Sequence, residues 1–290
     1  MKKLLIFLLI ANIYLNAAPF SGGNGIAGDE YLIGSKEDIY ALIDSINAET
    51  ETKKYSDKHY KVIKNIRDSV RKCIPFFSGN WNGNGYKVTL AIENTDDYGY
   101  LLNSLTMFSW LLDNGVIKNV VIDGYVRATG IDHNVHGAGL VGAMGSNDST
   151  AYMQVINCVN LCKVEVSDGG GIVGTLGISD KKYNNGIIER CINLGIINNT
   201  GAAGGITSSI WTFNNSLKTK IVSCINASFV KNICKHDDKL KKSWCRASGI
   251  SARDRRNGIL FNPYSVISNC LNVGVLEALY IEGIAFDKKP

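Results

Sequence analysis

The residues best suited to chemistry lie between Lys231 and Arg256, where nine lysines and arginines stand against three aspartates. Lys235, Lys239, Lys241, Lys242 and Arg246 surround Trp244. Such a set would draw an anionic glycan or an acidic extracellular host protein by charge and orient a sugar ring by stacking. Cys234 and Cys245 bracket the same stretch, and a disulfide between them would staple a loop of 12 residues, which suits an exported chain. The alternative is a solvated insertion that meets no partner. Catalysis would need a different constellation. Glycoside cleavage needs paired carboxylates about 5 to 9.5 Å apart, and the acids near corners of the chain, Asp123, Asp132, Asp168 and Asp180, do not recur in one register. None of the four histidines, His59, His133, His136 and His236, belongs to a His-Glu-x-x-His phrase. Gly83-Asn84-Gly85 has no following Lys-Ser/Thr and leads into a strand pattern, so it does not read as a phosphate loop. No catalytic residue, cofactor or metal is expected.

These residues sit on a repeat. Val155-Ile-Asn-Cys-Val-Asn160 returns as Ile188-Glu-Arg-Cys-Ile-Asn193, Ile221-Val-Ser-Cys-Ile-Asn226 and Ile267-Ser-Asn-Cys-Leu-Asn272. Thirty-three residues separate Cys158 from Cys191 and Cys191 from Cys224, and forty-six separate Cys224 from Cys270. A second phrase follows each time, as Gly170-Gly-Ile-Val-Gly174, Gly204-Gly-Ile-Thr207, Ser248-Gly-Ile-Ser251 and Glu282-Gly-Ile-Ala285. An earlier unit without its cysteine runs from Val116 through Gly139-Leu-Val-Gly142, making about five units. Short Val- and Ile-rich runs bounded by Gly, Asn and Asp predict strands with tight corners. The fold class expected is all-β, a parallel β-helix or solenoid, with each repeat making two rungs or one wide one.

Strict alternation would put Ile156, Cys158 and Asn160 on one face. Cys158, Cys191, Cys224 and Cys270 then form an inward stack, and Asn160, Asn193, Asn226 and Asn272 form a turn or an inward amide ladder. With two rungs per repeat, equivalent Cβ atoms would lie about 9.6 Å apart, too far for disulfides, so the cysteines read as buried free thiols. A metal ladder is disfavoured because no histidine shares the phrase. Cys73 and Cys162 receive no assignment.

Residues 1–18 read as a secretory signal, with Lys2 and Lys3 before an apolar run and small residues at Ala17-Ala18. Residues 19–59 read as an N-terminal cap segment, and 60–290 as the solenoid. The cap contains the one helix expected, Ser35 to Asn47, with Ser35 as its cap and Ile39, Leu42, Ile43 and Ile46 along one face. Without Lys2 and Lys3 the formal charge of +5 falls to a weak positive balance. That implies neither nucleic acid nor a membrane surface, and no stretch is long enough to span a bilayer as a helix.

The order of these phrases resembles the GLUG-motif repeat proteins of bacterial surfaces. Gly139-Leu-Val-Gly142 and Gly171-Ile-Val-Gly174 carry the naming phrase, Phe77, Gly79, Trp81, Gly83, Asn84 and Gly85 match an upstream aromatic-glycine phrase, and Ile117 to Val120 match a strand. Two units depart from the pattern, at Leu105 to Trp110 and at Ser248, and are expected to be irregular or capped by insertions. The resemblance implies a β-helix-like module of an exported adhesin or larger surface assembly. It is similar to the accessory repeats of secreted immunoglobulin-cleaving metalloproteases, without the protease part. The function expected is non-enzymatic binding, adhesion or structure. The alternative is a carbohydrate-active β-helix enzyme of lyase or hydrolase type.

Overall fold

A computed structural model describes residues 20–49, 54–93, 104–128, 135–177, 183–212, 219–233, 246–256, 266–278 and 280–282. The chain is a parallel β-solenoid with one short helix. A representative turn runs Met153–Ile156 in a first sheet, Val159–Asn160 and Lys163–Glu165 in a second, Asp168–Gly170 in a third and Val173–Leu176 in a fourth. Each repeat makes one wide turn. Val155 pairs with Ile188, Ile188 with Ile221 and Ile221 with Ile267, all parallel and in register. Asn160, Asn193, Asn226 and Asn272 pair in the same way in the second sheet.

The corner between the first and second sheets corrects the expected alternation. Asn119, Asn157, Arg190, Ser223 and Asn269 each have φ between 51° and 56°. One left-handed residue turns the strand and shifts the inward phase by one position. Val155, Cys158 and Asn160 are therefore the fully buried set, while Ile156 is only half-buried. On the outside of this corner, Asn119 donates to Asn82 Oδ1 at 3.0 Å, Asn157 to Asn119 Oδ1 at 3.3 Å and Arg190 Nε to Asn157 Oδ1 at 2.8 Å.

Inside, the amide ladder is continuous. Asn160 Nδ2 donates to Asn193 Oδ1 at 2.8 Å, Asn193 Nδ2 to Asn226 Oδ1 at 2.9 Å and Asn226 Nδ2 to Asn272 Oδ1 at 2.8 Å. Oδ1 of Asn160, Asn193 and Asn272 accepts a backbone N–H two residues on, from Cys162 at 2.9 Å, Gly195 at 3.2 Å and Gly274 at 3.3 Å, and Asn226 Oδ1 accepts the Ser228 hydroxyl at 2.8 Å, so the ladder pins the tight turns. A Cβ on Gly139, Gly171 or Gly205 would strike the side chains of Asn160, Asn193 or Asn226 respectively. The two repeated phrases are thus one device, in which glycine makes room for the amide column.

Because a repeat is one turn, Cys158, Cys191, Cys224 and Cys270 are neighbours at the strand spacing of about 4.8 Å, half the separation expected from two rungs. All four are free thiols, as are Cys73 and Cys162. The Cys191 Sγ donates to Val155 O at 3.5 Å, and Cys224 Sγ to Ile188 O at 3.6 Å.

The strands of the two units expected to be irregular or capped by insertions keep the regular register. Ser104–Leu105 and Phe108–Leu112 pair in register with His136–Ala138 and Val141–Gly145. Ser248 pairs with Gly204. Leu140, Ile172, Ile206 and Ile250 fill the inner corner of the glycine phrase in successive turns. Toward the N-terminus the core is aromatic, with Tyr60, Phe77, Trp81 and Phe108 all fully buried. Trp81 and Phe108 lie 5.3 Å apart between ring centroids, edge to face.

Helix α1, Lys36–Asn47, buries Ile39, Leu42, Ile43 and Ile46 against the strands Ile66–Val70 and Ile74–Phe77. Ser35 and Asp38 form a capping box, and Asp38 Oδ2 also accepts from Gly34 N and Ser21 Oγ, both at 2.8 Å. Parallel pairing begins ahead of this helix, since Tyr31–Ile33 pairs with His59–Val62.

Candidate functional site

Six positions expected to carry chemistry, Cys234, Lys235, Lys239, Lys241, Lys242 and Trp244, lie outside the described residues, as does Cys245. Their point of attachment is described. In the turn before, Thr200 is separated from the third-sheet strand Ala202–Gly204 by Gly201 alone. One turn later Asn232 pairs with Asn199 and Arg246 with Ala202, so residues 234–245 replace that single-residue corner. The basic stretch leaves at Ile233 and returns at Arg246, between the second and third sheets.

A groove of about 310 Å³ lies at this corner, lined by Arg127, Ala128, Glu165, Val166, Ser167, Asn198, Thr200 and Ile233. The register builds it from successive turns. Arg127 pairs with Glu165, and Asn198, one turn after Glu165, pairs with Lys231. Alternate residues of a strand face opposite ways. Val126, Val164, Ile197 and Val230 therefore enter the core, while Glu93, Arg127, Glu165, Asn198, Lys231 and Glu277 line up outside.

The charges in this outer column are mutually engaged. Arg127 Nε donates to Glu165 Oε2 at 2.9 Å, and Arg127 Nη1 lies 3.8 Å from Glu93. Lys163 Nζ sits 2.7 Å from Glu165 Oε1, and the Arg127 guanidinium is 5.2 Å from the centre of the Tyr125 ring. Burial acts to raise the Glu165 carboxyl, but hydrogen bonds from Lys163 and Arg127 outweigh it and hold the group below the usual glutamate range. Asn198 Nδ2 donates to Glu165 Oε1 at 3.4 Å, and its enclosed Oδ1 accepts no hydrogen bond.

Of the acids weighed for catalysis, Asp132 and Asp180 lie outside the described residues. Asp123 is on the second sheet and pairs with Lys87 at 3.1 Å, while Asp168 begins the third sheet and accepts the Ala202 N–H. Asp168 stands in register with His136, and His136 with Ser104. The His136 Nδ1 to Asp168 Oδ2 distance is 4.0 Å, and Ser104 is buried, so this row does not meet the hydrogen-bonded geometry of a nucleophile, base and orienting acid. Among the described residues, no cluster of three or more His, Cys, Asp or Glu could hold a metal, and no helix is long and apolar enough to cross a membrane.

Reading the sequence missed Arg127, Glu165, Asn198 and Thr200. The signal was present, because Glu165, Asn198 and Lys231 are spaced by the 33-residue period, as are Ser167, Thr200 and Ile233. It was hidden because those positions share no residue type.

No family model matches the chain, and no curated protein matches it. A solved structure does resemble it, that of a candidate immunoglobulin A1 protease from Bacteroides ovatus. The TM-score is 0.58 at 13% sequence identity, covering 92% of this chain and 87% of that one. The likeness is one of fold.

Proposed function

We propose that this chain is an exported bacterial surface or secreted module of the GLUG-repeat kind, which binds a partner and performs no catalysis. What supports this reading is where the basic, Trp-bearing stretch attaches to the described residues. It connects Ile233 to Arg246 where the turn before has a one-residue corner, and Ile233 also lines a polar groove. Loops mounted on a rigid frame are where binding concentrates. At the two ends of the insertion, Asn232 pairs with Asn199 and Arg246 with Ala202, which are separated by two residues. A Cys234–Cys245 disulfide is proposed across the base of the loop from the sequence spacing of the two cysteines. The partner is an anionic glycan or an acidic extracellular protein, drawn by Lys235, Lys239, Lys241, Lys242 and Arg246 and oriented by Trp244. Fold likeness to a bacterial protein titled an immunoglobulin A1 protease is compatible with a surface or secreted role.

The test is a glycan and matrix-protein array with the full chain and a variant carrying Ala at Lys239, Lys241, Lys242 and Trp244. The parent should bind an anionic component, more weakly as salt shortens the Debye length below about 8 Å. The variant should lose that binding. Equal binding by both proteins at every salt concentration would remove the loop from the function.

A further inference from the structure

We infer that the groove beside the loop is a second contact, which holds an uncharged sugar unit of a glycan. The inference rests on the binding reading and names what its floor recognises. The groove sits at the lower end of the volume range of small-ligand sites. Its charges point away from a charged ligand. Arg127 is held between Glu93 and Glu165, and Glu165 between Arg127 and Lys163, so each charge has an opposite neighbour that offsets its attraction for a charged ligand. What remains on offer is a mixed set. The guanidinium keeps unused N–H donors, the carboxylate keeps acceptor capacity, and Thr200 presents a hydroxyl from an exposed position.

Asn198 supplies the strongest pointer. Its amide is oriented by a long bond to Glu165, 3.4 Å, and its carbonyl oxygen is enclosed with no donor. An enclosed acceptor left unmade is costly. A ligand hydroxyl that reached Oδ1 would supply the missing donor, while Nδ2 keeps its second hydrogen for a ligand oxygen. Val166 and the 41% exposed Ile233 add an apolar wall beside these polar groups. Donors and acceptors at close spacing, no net charge and one apolar side match a pyranose ring, with vicinal hydroxyls on its rim and C–H groups on its face. Arg127, Glu165, Asn198 and Thr200 are its hydrogen-bonding contacts. The groove crosses successive turns about 4.8 Å apart, which suits a ligand extended along the solenoid axis.

The experiment titrates the full chain with uncharged hexamers built from glucose, mannose, galactose or N-acetylglucosamine, by saturation-transfer NMR and calorimetry at low and high salt. At least one hexamer should bind with an affinity that salt barely changes. Thr200→Val and Asn198→Leu should each weaken it by about five- to tenfold, the loss of one hydrogen bond. The four-residue loop variant should retain it. Thermal melts accompany each variant, and if Asn198→Leu unfolds early the exposed Thr200→Val decides. Failure of every hexamer to bind, or undiminished binding by well-folded Thr200→Val, overturns the inference. If anionic glycans still bind and only the loop variant abolishes that, the groove assignment falls while the loop reading stands.

Discussion

Asn193 has four hydrogen-bond partners in the amide column. It accepts from Asn160 Nδ2 and Gly195 N and donates to Asn226 Oδ1 and Ser228 Oγ. Asn193→Ala should therefore lower unfolding stability by about 3 kcal/mol, as buried partners are orphaned on both sides. Asn272→Ala, at a half-buried end of the described ladder, should cost about 1 kcal/mol. Denaturant titration compares the two, and equal costs would deny the ladder its role. The thiols give a pH dependence. The Cys224 thiol is pushed up to about 12, first by its contact with Cys191 and then by burial. Burial pushes the Cys191 thiol well above the usual thiol range. The unfolded thiol ionises near 9 while the folded one stays protonated, so above that pH the unfolded state holds fewer protons and stability falls as pH rises. Urea midpoints measured from pH 7 to the alkaline side should decline, and the decline should be shallower in Cys224→Ala.

The helix and the corners were legible to different degrees. Ser35, Asp38 and the spacing of Ile39, Leu42, Ile43 and Ile46 marked α1 because capping and amphipathicity are local properties. Asp38 ties the cap to the preceding segment through Ser21 and Gly34 as well as Ser35. Asp38→Ala should accordingly cost about 2 to 3 kcal/mol and Ser35→Ala about 1 kcal/mol in chemical denaturation. The corner at Asn157 was not legible. Its left-handed conformation is shared with Arg190 and Ser223, which do not advertise it, and so the inward phase was assigned to Ile156 in place of Val155. Ser223→Asn should stabilise by about 0.5 kcal/mol, since asparagine tolerates this region better; a lower melting temperature would contradict the corner geometry. The glycine phrase was read as a short strand with tight corners, but the reason for its glycine lies across turns. Gly171→Ala should destabilise by about 2 kcal/mol by striking Asn193 and the Gly205 carbonyl, and pairing it with Asn193→Ala should recover part of that loss.

Across the whole molecule, stacking makes stability a matter of neighbours. Val266, Leu271, Val273 and Val275 on the last described turn are 41 to 63% exposed, whereas Val155, Cys158 and Asn160 are fully buried. Amide exchange in this 290-residue chain should be faster over 266–277 than over 153–160, and uniform protection would contradict stepwise opening. The period was legible along the chain, but the number of turns per period was not, because pairing partners 33 residues apart leave no local mark. The groove escaped for the same reason, since Arg127, Glu165 and Asn198 become neighbours only once the turns are stacked. One turn per repeat also makes the chain a molecular ruler. Removing the 33 residues from Ile188 to Lys220 joins Ile187 to Ile221 and sets Asn226 where Asn193 had stood. The shortened rod loses about 4.8 Å and keeps every inner column in phase, so a single in-frame genetic deletion or duplication of this length edits its reach without redesigning its core.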